Sequence, residues 1–246
     1  MARLARLGVG GWPHLVVQPV QDGQALWRDA TDAQALHAAL LDAARQHEVA
    51  VHAYRLAAPG EPGGLALVLT PHTDEALGLF MQAVGRRYVA AYNRRHGRQG
   101  ALWAGRYRST VLDAAQYLLD AIQWVEQPAW PPVAGASGRT ASLAHHLGAG
   151  SDPLVTAAPA FWALGNTPFD REIAWRQRLT QGLSLDRSQA LSDAVHTGWA
   201  LVPAAQLPQL AKLTDRRLKP KPRGRPRKTP PDGTASVRID PALPDA

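Results

Sequence analysis

The 246-residue sequence predicts an α+β fold, and two observations carry the prediction. Short runs rich in β-branched residues alternate with longer stretches whose apolar residues recur every three or four positions. Their order, β-α-β-β-α-β-α, has one tight turn between two long crossovers. It suits a ferredoxin-like split βαβ unit: an antiparallel sheet with helices on one face, followed here by a helical C-terminal region and a disordered basic tail.

His14–Val20 (HLVVQPV) reads as the first strand. Thr31 opens a helix, with Gln34 completing a capping-box spacing, and Leu36, Ala39, Leu40, Ala43 and His47 form one stripe along it. Val49–Ala57 is the second strand. The Pro- and Gly-rich Ala57–Gly64 turns the chain into Leu65–Thr70, a continuous apolar run expected at the centre of the sheet. From Asp74 a long helix carries Leu77, Phe80, Met81, Val84, Tyr88 and Tyr92 on one side, with Arg87 and Arg94 on another. Glycines 97, 100 and 105 break it. Tyr107–Leu112 is the fourth strand, and Asp113 with Gln116 caps a helix that ends at Pro128, Pro131 and Pro132. These elements define a domain over residues 1–130. A helical region over 140–210 follows, with candidate helices near 157–164, 168–181 and 187–199, then a basic tail over 212–246.

A net charge of +7 favours a polyanionic partner. The cations are concentrated: Gly85–Arg108 and Arg216–Lys228 hold fifteen of the twenty-seven lysines and arginines. The absence of cysteine excludes disulfides, thiolate metal sites and a cysteine nucleophile. No apolar run approaches the length of a membrane span, so the expectation is a cytoplasmic, nucleoid-associated protein with no membrane partner.

Gly85–Arg108 (GRRYVAAYNRRHGRQGALWAGRYR) carries seven arginines and no acid, with Tyr88, Tyr92, Trp103 and Tyr107 set among them. Guanidinium forks suit phosphate oxygens, and flat rings offer unpaired bases a stacking surface. The candidate DNA-binding residues are Arg86, Arg87, Asn93, Arg94, Arg95, Arg98, Trp103, Arg106, Tyr107 and Arg108. Trp103 and Tyr107 suit either stacking or a core role, whereas Tyr88 and Tyr92 continue the apolar stripe. In the tail, Arg223, Gly224, Arg225 and Pro226 form an AT-hook-like core. An extended Arg-Gly-Arg without bulk at its centre fits the narrow, negative minor groove of A·T-rich duplex.

The block from Gly85 to Asp113 resembles the bacterial REP-associated tyrosine transposases, relatives of the single-tyrosine HUH transposases. The resemblance rests on the pattern Arg-Arg-His-Gly…Leu-Trp-x-Gly-Arg-Tyr. It extends through Ala163–Ser184, His196–Leu201 and Gly224–Lys228 to span about residues 1–228. It implies a split βαβ domain that binds hairpin or single-stranded DNA. It also implies nicking by a tyrosine nucleophile with a divalent metal such as Mg²⁺, held by a His-hydrophobic-His pair.

At the chemistry the sequence departs from that pattern. The family's Pro-Asn-His-x-His run reads Pro62-Gly63-Gly64-Leu65-Ala66, so Gly64 and Ala66 replace both imidazoles. Trp124 stands where the nucleophilic tyrosine is expected, and indole forms no phosphotyrosine-type intermediate. Tyr117 is a weak candidate, about 10 Å away along the same helix. His145-His146 reads as surface histidine. The expectation is therefore a pseudoenzyme: a DNA-binding protein for hairpin or single-stranded DNA and A·T-rich duplex, with no cofactor and catalysis lost. The alternative is an active single-strand nuclease with a relocated tyrosine and a metal recruited by Glu61, His72 or Asp74. An RNA-binding or scaffolding role is a further reading, because split βαβ folds host many functions.

Overall fold

The computed structural model describes residues 6–61, 63–129 and 140–220. Four strands, β1 (His14–Pro19), β2 (Val49–Leu56), β3 (Gly64–Pro71) and β4 (Arg108–Val111), form one sheet in the order β2-β3-β1-β4. Every neighbouring pair is antiparallel. This is the split βαβ connectivity expected from the element order.

The crossover helices α1 (Ala30–Gln46) and α2 (Ala76–Arg95) lie together on one face. Leu36 and Leu40 of α1 and Phe80, Val84 and Tyr88 of α2 share a core with Val16, Val51, Leu67 and Leu69 of the strands. The apolar stripe expected on α2 is buried along its length, from Leu77 to Tyr92. The start of α1 differs from the expected Thr31–Gln34 box. Asp29 is the cap, accepting from the N–H groups of Thr31 and Asp32, and the helix begins at Ala30. An extended Asp29 reaches both first-turn donors, whereas Thr31 already lies within the helix.

The opposite face of the sheet is also covered. Helix α3 (Ala114–Glu126) follows β4, with Asp113 accepting from Gln116 N at 2.7 Å as its spacing predicts. Beyond it come α4 (Leu143–His146), α5 (Pro159–Trp162), α6 (Pro168–Gln181), α7 (Leu185–Thr197) and α8 (Leu207–Ala211). Ile122 of α3, Trp175 of α6 and Leu191 of α7 share a second core with Leu15, Ala53 and Val68 from the strands. Both faces of β3 are therefore dry, which explains its unbroken apolar run.

The C-terminal region also seals both edges of the sheet. Along β2, Leu56 N donates to Thr140 O and Thr156 N to Val51 O, each at 2.7 Å. Along β4, Leu201 N donates to Val111 O at 2.8 Å and Asp113 N to Leu201 O at 3.0 Å. Such bonds satisfy edge groups that would otherwise invite pairing with another chain. Among the described residues, no helix is long and apolar enough to cross a membrane.

Glu126 pins the second core. Its fully buried carboxyl accepts from Ser142 Oγ, from His146 Nδ1 at 2.7 Å and from Trp175 Nε1 at 2.9 Å. His146, expected at the surface, is therefore an interior residue. The adjacent His145 is half-buried, because a helix turns neighbouring side chains about 100° apart.

The N-terminal segment is held through His14, which is fully buried. Its Nδ1–H donates to Trp12 O at 2.8 Å, and Nε2 accepts from Val9 N at 3.3 Å. Both bonds suit neutral imidazole, and burial pulls the pKa from 6.5 down to about 4. Between those values the unfolded chain binds a proton that the folded chain refuses, so stability is lost as the pH drops through that window. The full loss is about 3 kcal/mol at 1.36 kcal/mol per unit. Thermal melts of wild type and His14→Gln at pH 7 and pH 4.5 check this, and the pH dependence should be shallower in the variant. His52 and His145 are also lowered by burial and leave a residual slope of the same sign.

Candidate nucleic-acid interface

The aromatic and cationic halves of Gly85–Arg108 part company in the fold. Tyr88 and Tyr92 are buried, and their hydroxyls donate to the carbonyls of Leu26 and Ala25. Trp103 is half-buried against the first core, its ring 6.4 Å from that of Tyr88. Tyr107 is half-buried beneath Arg6, whose guanidinium carbon lies 3.9 Å from the ring centroid. Tyr88 and Tyr92 therefore offer no stacking face, whereas Trp103 and Tyr107 remain partly exposed.

The cations divide differently. Arg86, Arg87, Arg94, Arg106 and Arg108 are exposed. Arg87 meets Asp42 at 2.6 Å in an exposed pair that contributes little to stability. Arg95 has a structural occupation: its fork bonds Asp29, the cap of α1, and the buried Asp32. The hydrogen bond from Arg95 holds the Asp29 carboxyl down to about 2, and the same contact raises Arg95. Asn93 and Arg98 shape the loop after α2. Asn93 Nδ2 donates to Gly100 O at 2.8 Å, and Arg98 Nη1 donates to Asn93 Oδ1 at 3.1 Å. Gly100 takes φ +86, a region that disfavours other residues.

This loop is stitched to β1. Gln21 N donates to Leu102 O, Ala104 N to Pro19 O and Gln18 Nε2 to Gly105 O, at 2.9, 3.0 and 3.1 Å. The stitching places Arg106 and Arg108 at the outer margin of β4, beside Arg6. Arg6 and Arg216 share a cleft with them; Arg6 lies outside both basic blocks of the sequence, and Arg216 opens the second. No spacing links either residue to β4, so only the fold reveals them.

The positions expected to have lost their chemistry also meet. Gly64, Ala66 and Trp124 line one cavity of about 410 Å³, together with Val17, Leu183 and Arg55. Its donor set does not fit a divalent cation, since Gly64 and Ala66 bring no ligand atom and the charged lining residue is an arginine. Gly64 is fixed by close approach: an added Cβ would overlap Gln18 O and lie 3.1 Å from Pro19 Cα and Val20 N.

Tyr117 is not among the residues lining that cavity, and Arg187 lies 4.8 Å from its ring centroid. Glu61 is engaged by Arg55 and by Ala58 N at 3.0 Å. His72 and Asp74 follow the other end of β3, about 25 Å from Gly64 at strand rise. There Asp74 accepts from Gly10 N at 2.6 Å. Among the described residues, no group of three or more His, Cys, Asp or Glu could hold a metal ion. Arg223, Gly224, Arg225 and Pro226 lie outside the described residues.

No protein-family model matches the chain, and no curated protein matches it. Among solved structures, it is similar to a REP-associated tyrosine transposase bound to a REP hairpin. The identity is 12% and the TM-score 0.48, over 64% of this chain and 92% of that one.

Proposed function

We propose that the protein binds hairpin or single-stranded DNA through the exposed arginines of α2 and β4 and does not cut the strand. The observation that carries this reading is the segregation within Gly85–Arg108: Tyr88 and Tyr92 are buried and Trp103 and Tyr107 half-buried, while Arg86, Arg87, Arg94, Arg106 and Arg108 are exposed. Exposed cations grip phosphates, so binding tolerates sequence and weakens steeply with salt. The tail, through Arg223–Pro226, adds a contact to A·T-rich duplex. The cavity at Gly64, Ala66 and Trp124 supports the loss of strand cleavage, because no tyrosine, imidazole or carboxylate is among its lining residues.

Fluorescence anisotropy with labelled hairpin and single-stranded DNA tests the binding. Replacing Arg86, Arg94, Arg106 and Arg108 together by Ala should flatten the plot of log K against log salt by about 3. Unchanged binding in that variant rejects the interface. End-labelled hairpin incubated with Mg²⁺ or Mn²⁺ should stay intact. A covalent protein–DNA adduct lost in Tyr117→Phe would instead establish the nuclease alternative. Stronger retention of RNA than of DNA of the same sequence would point to contacts with the 2′-OH.

A further inference from the structure

Four arginines from three separate stretches of chain meet at the β4 edge. Arg106 and Arg108 flank Tyr107, Arg6 arrives from the N-terminal segment, and Arg216 arrives from beyond α8. With His196 and Thr197 they line a cleft of about 320 Å³ that has no carboxylate among its lining residues. The convergence depends on the C-terminal crossing of β4. Residues 199–201 run beside the strand, and Ala200 N donates to Leu218 O at 3.2 Å, which draws Arg216 against the sheet.

Arg216 is the informative member. Its Nη2 donates to Gly198 O, the C-cap of α7, at 2.6 Å. A cation at a helix C-terminus is favourable, so that bond has a structural explanation. The rest of the guanidinium is less well served: its carbon lies 5.8 Å from the Trp199 ring centroid. Nε and Nη1 are buried without a hydrogen-bond partner, and among the described residues no carboxylate pairs with the guanidinium. Burial accordingly lowers the pKa of Arg216. Arg55 and Arg178, also half-buried, each meet a carboxylate, and the buried Arg171 is held by Gly165 O and the Trp162 ring with none of its nitrogens left buried and unpartnered, unlike Arg216. A desolvated charge without a counterion is costly, and a bound anion relieves that cost.

We propose that this cleft is a clasp for a backbone phosphate of the bound strand, with Arg6 and Arg216 facing Arg106 and Arg108 across it. The proposal rests on the DNA-binding reading and deepens it. It names two residues outside Gly85–Arg108 and sends the strand from the sheet edge toward the basic stretch that begins at Arg216. Guanidinium groups converging on one small cleft are the usual recognition chemistry for a phosphodiester.

Anisotropy titrations of the full chain with single-stranded DNA should show about tenfold weaker binding for Arg216→Ala and for Arg6→Ala. The salt slope should fall by about 0.7 in each. The salt slope separates a clasp from a purely structural arginine. Arg216→Ala should melt somewhat lower under either role because Gly198 O loses its donor, but a purely structural role predicts an unchanged salt slope in the folded variant. Should that variant fail to fold, Arg6→Ala and Arg108→Glu carry the same binding test.

Wild-type affinity in both Arg6→Ala and Arg216→Ala overturns the clasp. The DNA-binding reading survives that result if the α2 and β4 quadruple variant still loses affinity. If the wild-type chain retains no DNA, the wider reading fails. The clasp is then judged by whether millimolar inorganic pyrophosphate raises the melting temperature of wild type and not of Arg216→Ala. No shift in either rejects it.

Discussion

Glu126→Ala is expected to cost about 3–5 kcal/mol of stability, enough to unfold most of the protein near physiological temperature. Glu126 is fully buried, and three donors converge on it from different elements: Ser142 Oγ, His146 Nδ1 and Trp175 Nε1. Removing the carboxyl leaves His146 Nδ1–H and Trp175 Nε1–H without their acceptor in a buried region, while Ser142 Oγ retains only its longer bond to Tyr54 O at 3.3 Å. The consequence is long-range, because these contacts tie α3 to α4 and α6, and Ser142 also receives Tyr54 N at 3.0 Å from β2. Glu126→Gln should cost less, since its amide oxygen still accepts, but its NH₂ then faces donors. Urea unfolding followed by far-ultraviolet circular dichroism measures both. A loss below about 1 kcal/mol for the alanine variant would show that packing, not this hub, holds the second core.

The second large effect concerns the cavity at Gly64. Introducing a His-x-His pair with Gly64→His and Ala66→His is expected to destabilise the protein by about 3 kcal/mol or more. No metal-dependent nicking should appear. The two positions are not equivalent. Ala66 is half-buried and lines the cavity, so Ala66→His alone has room and should fold. A Cβ on Gly64 instead overlaps the carbonyl of Gln18, and β1 must retreat to admit it. Retreat is expensive, because β1 pairs with β3 on one side and β4 on the other, and Gln18 Nε2 also holds Gly105 O. Thermal melts of the single and double variants separate these steps. A double variant that folds well and nicks hairpin DNA with Mn²⁺ would show that the strand spacing does not bar metal-dependent cleavage.

The elements most legible in the sequence are those whose signal is local. The buried stripe on α2, the Asp113 cap and the apolar run of β3 follow from residue spacing alone, and each lies within a residue or two of its expected limits. The cap of α1 was misread by two residues because Thr31–Gln34 and Asp29 offer competing acceptors. Only backbone geometry chooses between them. The short helices α4 and α8 carry too few residues to show a period.

The candidate site divides along the same line. Its arginines and the residue types at Gly64, Ala66 and Trp124 are visible in the sequence. Which arginines have structural work is not: the exposed Arg95 is taken by Asp29 and Asp32, a pairing across more than sixty positions of chain. Burial of Tyr88 and Tyr92 and half-burial of Trp103 and Tyr107 likewise reduce the stacking surface that composition suggests.

By itself, the amino-acid order determined the strand and helix succession, the excess of cations in two blocks and the lack of ligand atoms at Gly64 and Ala66. Each is a property of neighbouring residues or of composition. Only the tertiary structure decided that α3 and the C-terminal helices cover the second face and that Glu126 anchors them. It also decided that Arg6 and Arg216 join Arg106 and Arg108 at one cleft. Contacts between residues a hundred or more positions apart are selected by the joint packing of several elements, and no local pattern encodes them.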